Sequence, residues 1–123
     1  HSVYESRLLT KLAKKYKVKL AWGTDLLFNP ANTKNQNQGI LKLQKWFSNF
    51  EILKMVTHDN AELLALSGAR NPYPGKLGSI EEEAWADLIL VDGDVLKDIT
   101  LLGDPERNFA MIMKGGTIYK NRV

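Results

Sequence analysis

Gly23-Thr24-Asp25 follows directly on the short apolar run Val18-Lys19-Leu20-Ala21-Trp22, so a carboxylate stands where a buried strand is expected to end. A carboxylate there can bind a divalent ion and can carry a proton to and from metal-activated water. In β/α barrels the C-terminal strand ends form the catalytic face. Taken alone, the tripeptide fits a turn or N-cap aspartate better than a catalytic one, since aspartate after a strand commonly closes an Asx turn. His58 stands at the polar start of residues 59–66 and reads as a helix-surface or capping histidine, because a lone histidine lacks the partners that a metal requires. His1 is given no role. Glu81-Glu82-Glu83 reads as a solvated turn, and Lys114-Gly115-Gly116-Thr117 lacks the Gly-Lys-Ser/Thr order of a phosphate loop. Trp22, Trp46, Phe47, Phe50 and Trp85 read as packing residues, with Trp22 beside Asp25.

The chain that must position Asp25 has 123 residues, 44% of them hydrophobic and 25% charged. That describes an ordinary globular protein, too short for two independently folding domains. With no cysteine, a disulfide scaffold, a thiolate zinc site and a cysteine nucleophile are excluded. No apolar run approaches the roughly 20 residues that span a bilayer, and the N-terminus lacks the order of a signal peptide. No membrane partner is expected, and the compartment, cytoplasmic or periplasmic, stays open. The net charge of +3 is uneven, since residues 1–20 carry six bases (Arg7, Lys11, Lys14, Lys15, Lys17 and Lys19) against Glu5 alone. A basic helix can neutralise phosphates and release their counterions. Here, however, Val3, Tyr4, Leu8, Leu12 and Tyr16 recur at helical spacing, leaving the lysines on the solvated face of an amphipathic helix. No nucleic-acid partner is expected.

Ser2 and Glu5 form a capping box that opens this helix, which should run to about Tyr16. Residues 18–22 follow as a strand of the kind buried on both faces of a parallel sheet. Residues 29–39, rich in asparagine and glutamine and without period, read as a mobile surface loop. Ile40, Leu41, Leu43, Trp46 and Phe47 give a short amphipathic helix. Ser48 and Glu51 form a second capping box, opening a helix that carries Ile52, Leu53 and Val56 and that continues or restarts through residue 66. Gly68 suits the left-handed C′ position. After the turn Asn71-Pro72-Tyr73-Pro74-Gly75 the period shortens to strands at 76–80, 88–91, 109–113 and 117–120, the last two joined by a two-residue hairpin at Gly115-Gly116. Four C-terminal strands and one buried-type parallel strand leave edges and faces uncovered, so the sequence reads as part of something larger.

Val18 through Asp25 resembles the eighth-strand segment of the amidohydrolase superfamily, and Ala86-Asp87-Leu88-Ile89-Leu90-Val91-Asp92-Gly93-Asp94 resembles its C-terminal signature. Between them, Glu51-Ile52-Leu53 with Thr57, Asn60 and Ala61 is similar to a helical stretch of that family. Arg70 through Gly75, Ala84-Trp85-Ala86-Asp87, and Asp104 through Phe109 with Ile112-Met113-Lys114 resemble the imidazolonepropionase-related or Xaa-Pro dipeptidase-like branch. Glu83 and Val95 depart from it, standing where the family usually has glycine in a turn and proline. The resemblance implies an α/β fold: the C-terminal fragment of a β/α (TIM-type) barrel, comprising its last helix, strand and following helices (residues 1–70), then strands of a small β-sandwich domain (71–123). It implies a metal-dependent hydrolase, with zinc the expected ion, acting on a small peptide or amide substrate. Asp25 would be both metal ligand and proton shuttle. Amide bonds of peptides or N-acyl amino acids are the expected target, with cyclic-amide or deacetylase-type hydrolysis as an alternative within the class. A non-catalytic interaction or nucleic-acid module using the basic first helix is the alternative outside it. The family's remaining ligands, a His-X-His pair, a lysine and two histidines, have no counterpart here. The chain alone is therefore expected to be inactive, to hold no tight zinc and to self-associate.

Overall fold

The computed structural model describes residues 3–24, 26 and 30–123, with side chains described from Arg7 onward. The capping box at Ser2 and Glu5 and the metal-binding and catalytic assignment of Asp25 therefore lie outside the described residues. The first helix, α1 (Val3–Lys15), ends where expected, and Lys17 then turns the chain with a left-handed φ of 52°. A six-residue 3-10 helix (Pro30–Asn35) leads into α2 (Gln36–Leu41) and a second 3-10 turn (Lys42–Lys45). The helix α3 (Asn49–Lys54) runs through a π turn (Met55–Asp59) into α4 (Asn60–Ala65) without a break. After a long irregular stretch come β1 (Leu88–Val91), a 3-10 helix (Ile99–Gly103), α5 (Pro105–Asn108), β2 (Phe109–Lys114) and β3 (Thr117–Asn121).

The sheet is antiparallel in the order β1-β2-β3, with Ile89 opposite Ile112 and Lys114 opposite Thr117. Its hairpin turns at Gly115 and Gly116, whose φ angles of 53° and 78° are the positive pair that a primed two-residue turn requires. Asp87 accepts the Gly115 N–H at 2.6 Å, fixing that turn to the residue before β1. One core serves helices and sheet together. Ile52 and Ile99 are fully buried, joined by Ile40, Leu102 and Phe109, with Trp22, Phe47, Val56, Val91 and Ile112 packed around them. Ser48 caps α3 as expected: its hydroxyl accepts the Glu51 N–H while the Glu51 carboxylate accepts the Ser48 N–H at 2.8 Å.

Several expectations are corrected. Among the described residues, 18–22 pair with no strand. The three strands present pair with one another, and a parallel strand has no ladder without neighbours. The segment 30–39 is helical rather than loop. Its amides are docked, with Asn37 and Gln38 donating to the carbonyls of Leu102 and Gly103 at 2.8 and 2.7 Å, and Ile40 plugs the core. Residues 76–80 make only an isolated bridge between Lys76 and Ala84. Gly78, at φ 77°, presses so close to the π turn and α4 that a Cβ would come within 2.7 Å of the Thr57 carbonyl and 2.9 Å of the Ala61 side chain. Leu8 and Leu12 of α1, and Tyr16 just after it, are exposed, whereas Ala13 is buried and Lys14 bonds the Trp46 carbonyl. Phe50 is exposed at the start of α3, and Trp85 is partly exposed, set edge-on to Tyr73.

Candidate functional site

The residues leading to Asp25 are held by helix rather than by sheet. Trp22 donates its backbone N–H to Oδ1 of Asn60 at 2.8 Å and accepts Nδ2–H of the same side chain at its carbonyl, at 3.0 Å. A carboxamide has the donor and acceptor spacing of a peptide group, so Asn60 supplies the two bonds that a neighbouring strand would have supplied. On its other side the Trp22 ring lies against Gly39 of α2, where a Cβ would stand 3.0 Å from the indole. Lys19 is tied to the same helix, its ammonium 2.8 Å from Glu62. That partnership raises the Lys19 pKa through the hydrogen bond and charge of Glu62, and lowers that of Glu62 through the hydrogen bond from Lys19. Two residues of the segment, three apart, therefore meet two residues of α4.

Beyond Trp22, an open cleft of about 410 Å³ is bounded by Trp22, Gly23 and Thr24 on one side and by Asn35, Gln38, Gly39 and Lys42 on the other. Its lining is rich in carboxamides and holds one cation. His58, Asp59 and Glu62 also come together, their ligating atoms all within 4.8 Å. Lysines already hold the charge there. Lys54 bonds Asp59, Lys19 bonds Glu62, and the His58 ring stands 3.0 Å from Asp59. Burial pushes the Asp59 carboxyl up, but hydrogen bonds from Lys54 and His58 outweigh it and hold the group below its ordinary value. The cluster is an ion-pair network on the helix surface, in keeping with the reading of His58 from the sequence. Glu81 is likewise spent locally, on Ser79 and Lys76.

The sequence reading missed two partnerships. Asn60 carries no role in that reading, although an asparagine inside a helix is unfavourable unless its amide finds a partner. The Asp87 bond to Gly115 was not foreseen either. At position 83 the outcome was open: Glu83 adopts the left-handed φ of 66°, so the turn keeps a conformation that glycine adopts without strain.

No protein-family model and no curated protein matches the sequence. Solved structures do match the fold. A crystal structure of an amidohydrolase superposes with a TM-score of 0.77 at 29% identity over 92% of this chain. A prolidase crystallised with N-methylphosphonate-L-proline does so at 0.77 and 27% over 94%. A. niger ochratoxinase shares the fold, with a TM-score of 0.72 at 22% identity over 91%. The chain spans about a quarter of the length of each of these structures. Its helices and antiparallel sheet are thus a portion of a hydrolase architecture. The chain is similar to a portion of amidohydrolase-superfamily structures.

Proposed function

We propose that this chain is the C-terminal part of a metal-dependent hydrolase of amide bonds in peptides or N-acyl amino acids, within the imidazolonepropionase-related or Xaa-Pro dipeptidase-like branch. Residues 1–70 are assigned to its barrel and 71–123 to its small β-domain. The observation that carries the reading is the superposition on the amidohydrolase and prolidase structures over more than nine-tenths of the chain, in a sequence with Asp25 directly after Trp22-Gly23-Thr24. Asp25 is assigned as one metal ligand and as the group that accepts a proton from the attacking water and passes it to the leaving amine. A carboxylate suits both tasks, being anionic at neutral pH with two oxygens. The donor set fits one ligand and no more, since His58 is engaged with Asp59 and zinc normally takes three protein ligands. Bound there with ligands from the rest of the full-length protein, a divalent ion, zinc by preference, would supply the Lewis acidity that makes water a nucleophile at neutral pH.

The basic helix does not favour a nucleic-acid partner. Lys14 bonds the Trp46 carbonyl and lies over the Phe47 ring, and Lys19 is paired with Glu62. Self-association of the 123-residue chain is supported by the exposed Leu8 and Leu9 of α1, by Tyr16 just after it and by Ile89 and Leu90 of β1.

The deciding experiment is metal analysis and dipeptide hydrolysis by the full-length protein beside its Asp25→Asn variant. We expect bound metal in the former and a large loss of turnover in the latter, because an amide does not take up a proton at neutral pH. Unchanged turnover in Asp25→Asn overturns the assignment. For the chain alone, sedimentation at micromolar concentration with zinc titration should show association without tight zinc. A compact monomer that binds zinc tightly contradicts this.

A further inference from the structure

We infer that Asn60 is a positioning residue for Asp25, acting through the backbone of Trp22; the inference rests on the role proposed above for Asp25. The paired hydrogen bonds at 2.8 and 3.0 Å hold one residue, Trp22, at both its N–H and its C=O, and so tie down the two peptide units that flank its Cα. Two bonds to one residue restrain rotation as well as distance, which a single bond does not. The clamp sits three residues before Asp25 in the sequence.

The clamp is itself held. Asn60 is part-buried, and its Nδ2 also lies 3.5 Å from the Val56 carbonyl one turn back, so the amide has one orientation that satisfies its surroundings. Trp22 is packed against Gly39 from the opposite side, and Lys19 is tied to Glu62, two residues beyond Asn60. The segment therefore has one central bidentate anchor flanked by a peripheral ion pair. Glutamine is a methylene too long for this geometry. Aspartate keeps an acceptor for the Trp22 N–H but, when ionised, sets an oxygen against the Trp22 carbonyl. Leucine fills the space and makes neither bond.

The test compares Asn60→Leu and Asn60→Asp in the full-length protein, with Asp25→Asn alongside. Three quantities are read: hydrogen exchange at the Trp22 amide, kcat and KM for a dipeptide, and metal content. Loss of a group that orients a metal ligand typically costs about 10–100-fold. We expect that loss in kcat for Asn60→Leu, with KM within about twofold and faster exchange at Trp22. Asn60→Asp should keep Trp22 exchange near the wild-type rate and should recover part of its kcat as pH falls and its carboxyl regains a donor. Unchanged exchange at Trp22 in Asn60→Leu shows that there is no clamp. Faster exchange with unchanged kcat and metal content shows a clamp without a positioning role. Either result overturns the inference, whereas unchanged kcat in Asp25→Asn overturns the function on which it rests.

Discussion

The antiparallel sheet and the segment 18–24 face the same demand, partners for backbone N–H and C=O groups, and meet it differently. In β1, β2 and β3 the chain folds back on itself, so each strand brings its own neighbour. Among the described residues, the segment 18–24 has no strand beside it and borrows one side chain, Asn60, for both polar backbone groups of Trp22. The difference teaches where local sequence suffices. A hairpin is closed by residues adjacent in sequence, whereas the clamp on Trp22 joins residues 38 apart. The sheet should consequently tolerate damage to the segment better than the segment tolerates loss of its one partner.

The largest test asks whether the two regions unfold together. Ile99 is 1% exposed in the core they share. Ile99→Ala should cost about 2–5 kcal/mol, measured by urea denaturation, with tryptophan fluorescence and sheet circular dichroism falling in one transition. Separate transitions would mean that the regions are independent. Next, Asp87→Ala removes the charged acceptor of the Gly115 N–H and should cost about 1.5–3 kcal/mol, without changing Trp22 exchange. Ser48→Ala, at the start of α3, should cost about 1 kcal/mol. The Glu51 carboxyl of the same box is held below its ordinary value, first by the Ser48 backbone N–H. Its stabilisation is therefore present above the ordinary glutamate value and is lost as pH falls through the lowered one. Glu51→Gln should flatten that acid limb in a pH series of melting temperatures. Smallest is Glu83→Gly. Relief of the left-handed strain, roughly 1–2 kcal/mol, is partly offset by the freer unfolded chain, leaving a gain of about 0.5–1 kcal/mol.

Features written in neighbouring residues were legible. The Ser48 and Glu51 box, the Gly115-Gly116 hairpin and the three strands that form the sheet follow from short patterns, and each is found where the pattern puts it. Features decided by distant partners were not. Asparagines and glutamines at 32–38 suggest a loop because their amides compete with the backbone, yet two of them spend those amides on the turn at 99–103 and the segment becomes helix. The apolar stripe of α1 signals a buried face, but Leu8 and Leu9 of that helix are left exposed. At the candidate site, Asp25 is visible as a carboxylate after an apolar run. The bond pair between Asn60 and Trp22 is invisible in sequence, since an asparagine inside a helix does not announce its partner.

The π turn at Met55–Asp59 has a consequence for how this stretch can change in length. A π turn accommodates one residue more than an α turn, which rotates everything after it by about 100° relative to an uninterrupted helix. Asn60 and Glu62 owe their azimuth toward Trp22 and Lys19 to that extra residue. Deleting one residue between 55 and 59 would relax the helix to a regular pitch, and local propensity would count it an improvement. It would leave both side chains facing the segment they hold, because the regular helix that remains carries each later residue at the azimuth the π turn had given it. Among relatives of this chain, one-residue alignment gaps are therefore expected within these five positions rather than in the helical turns on either side. A gap in those flanking turns would instead swing the asparagine about 100° away from Trp22.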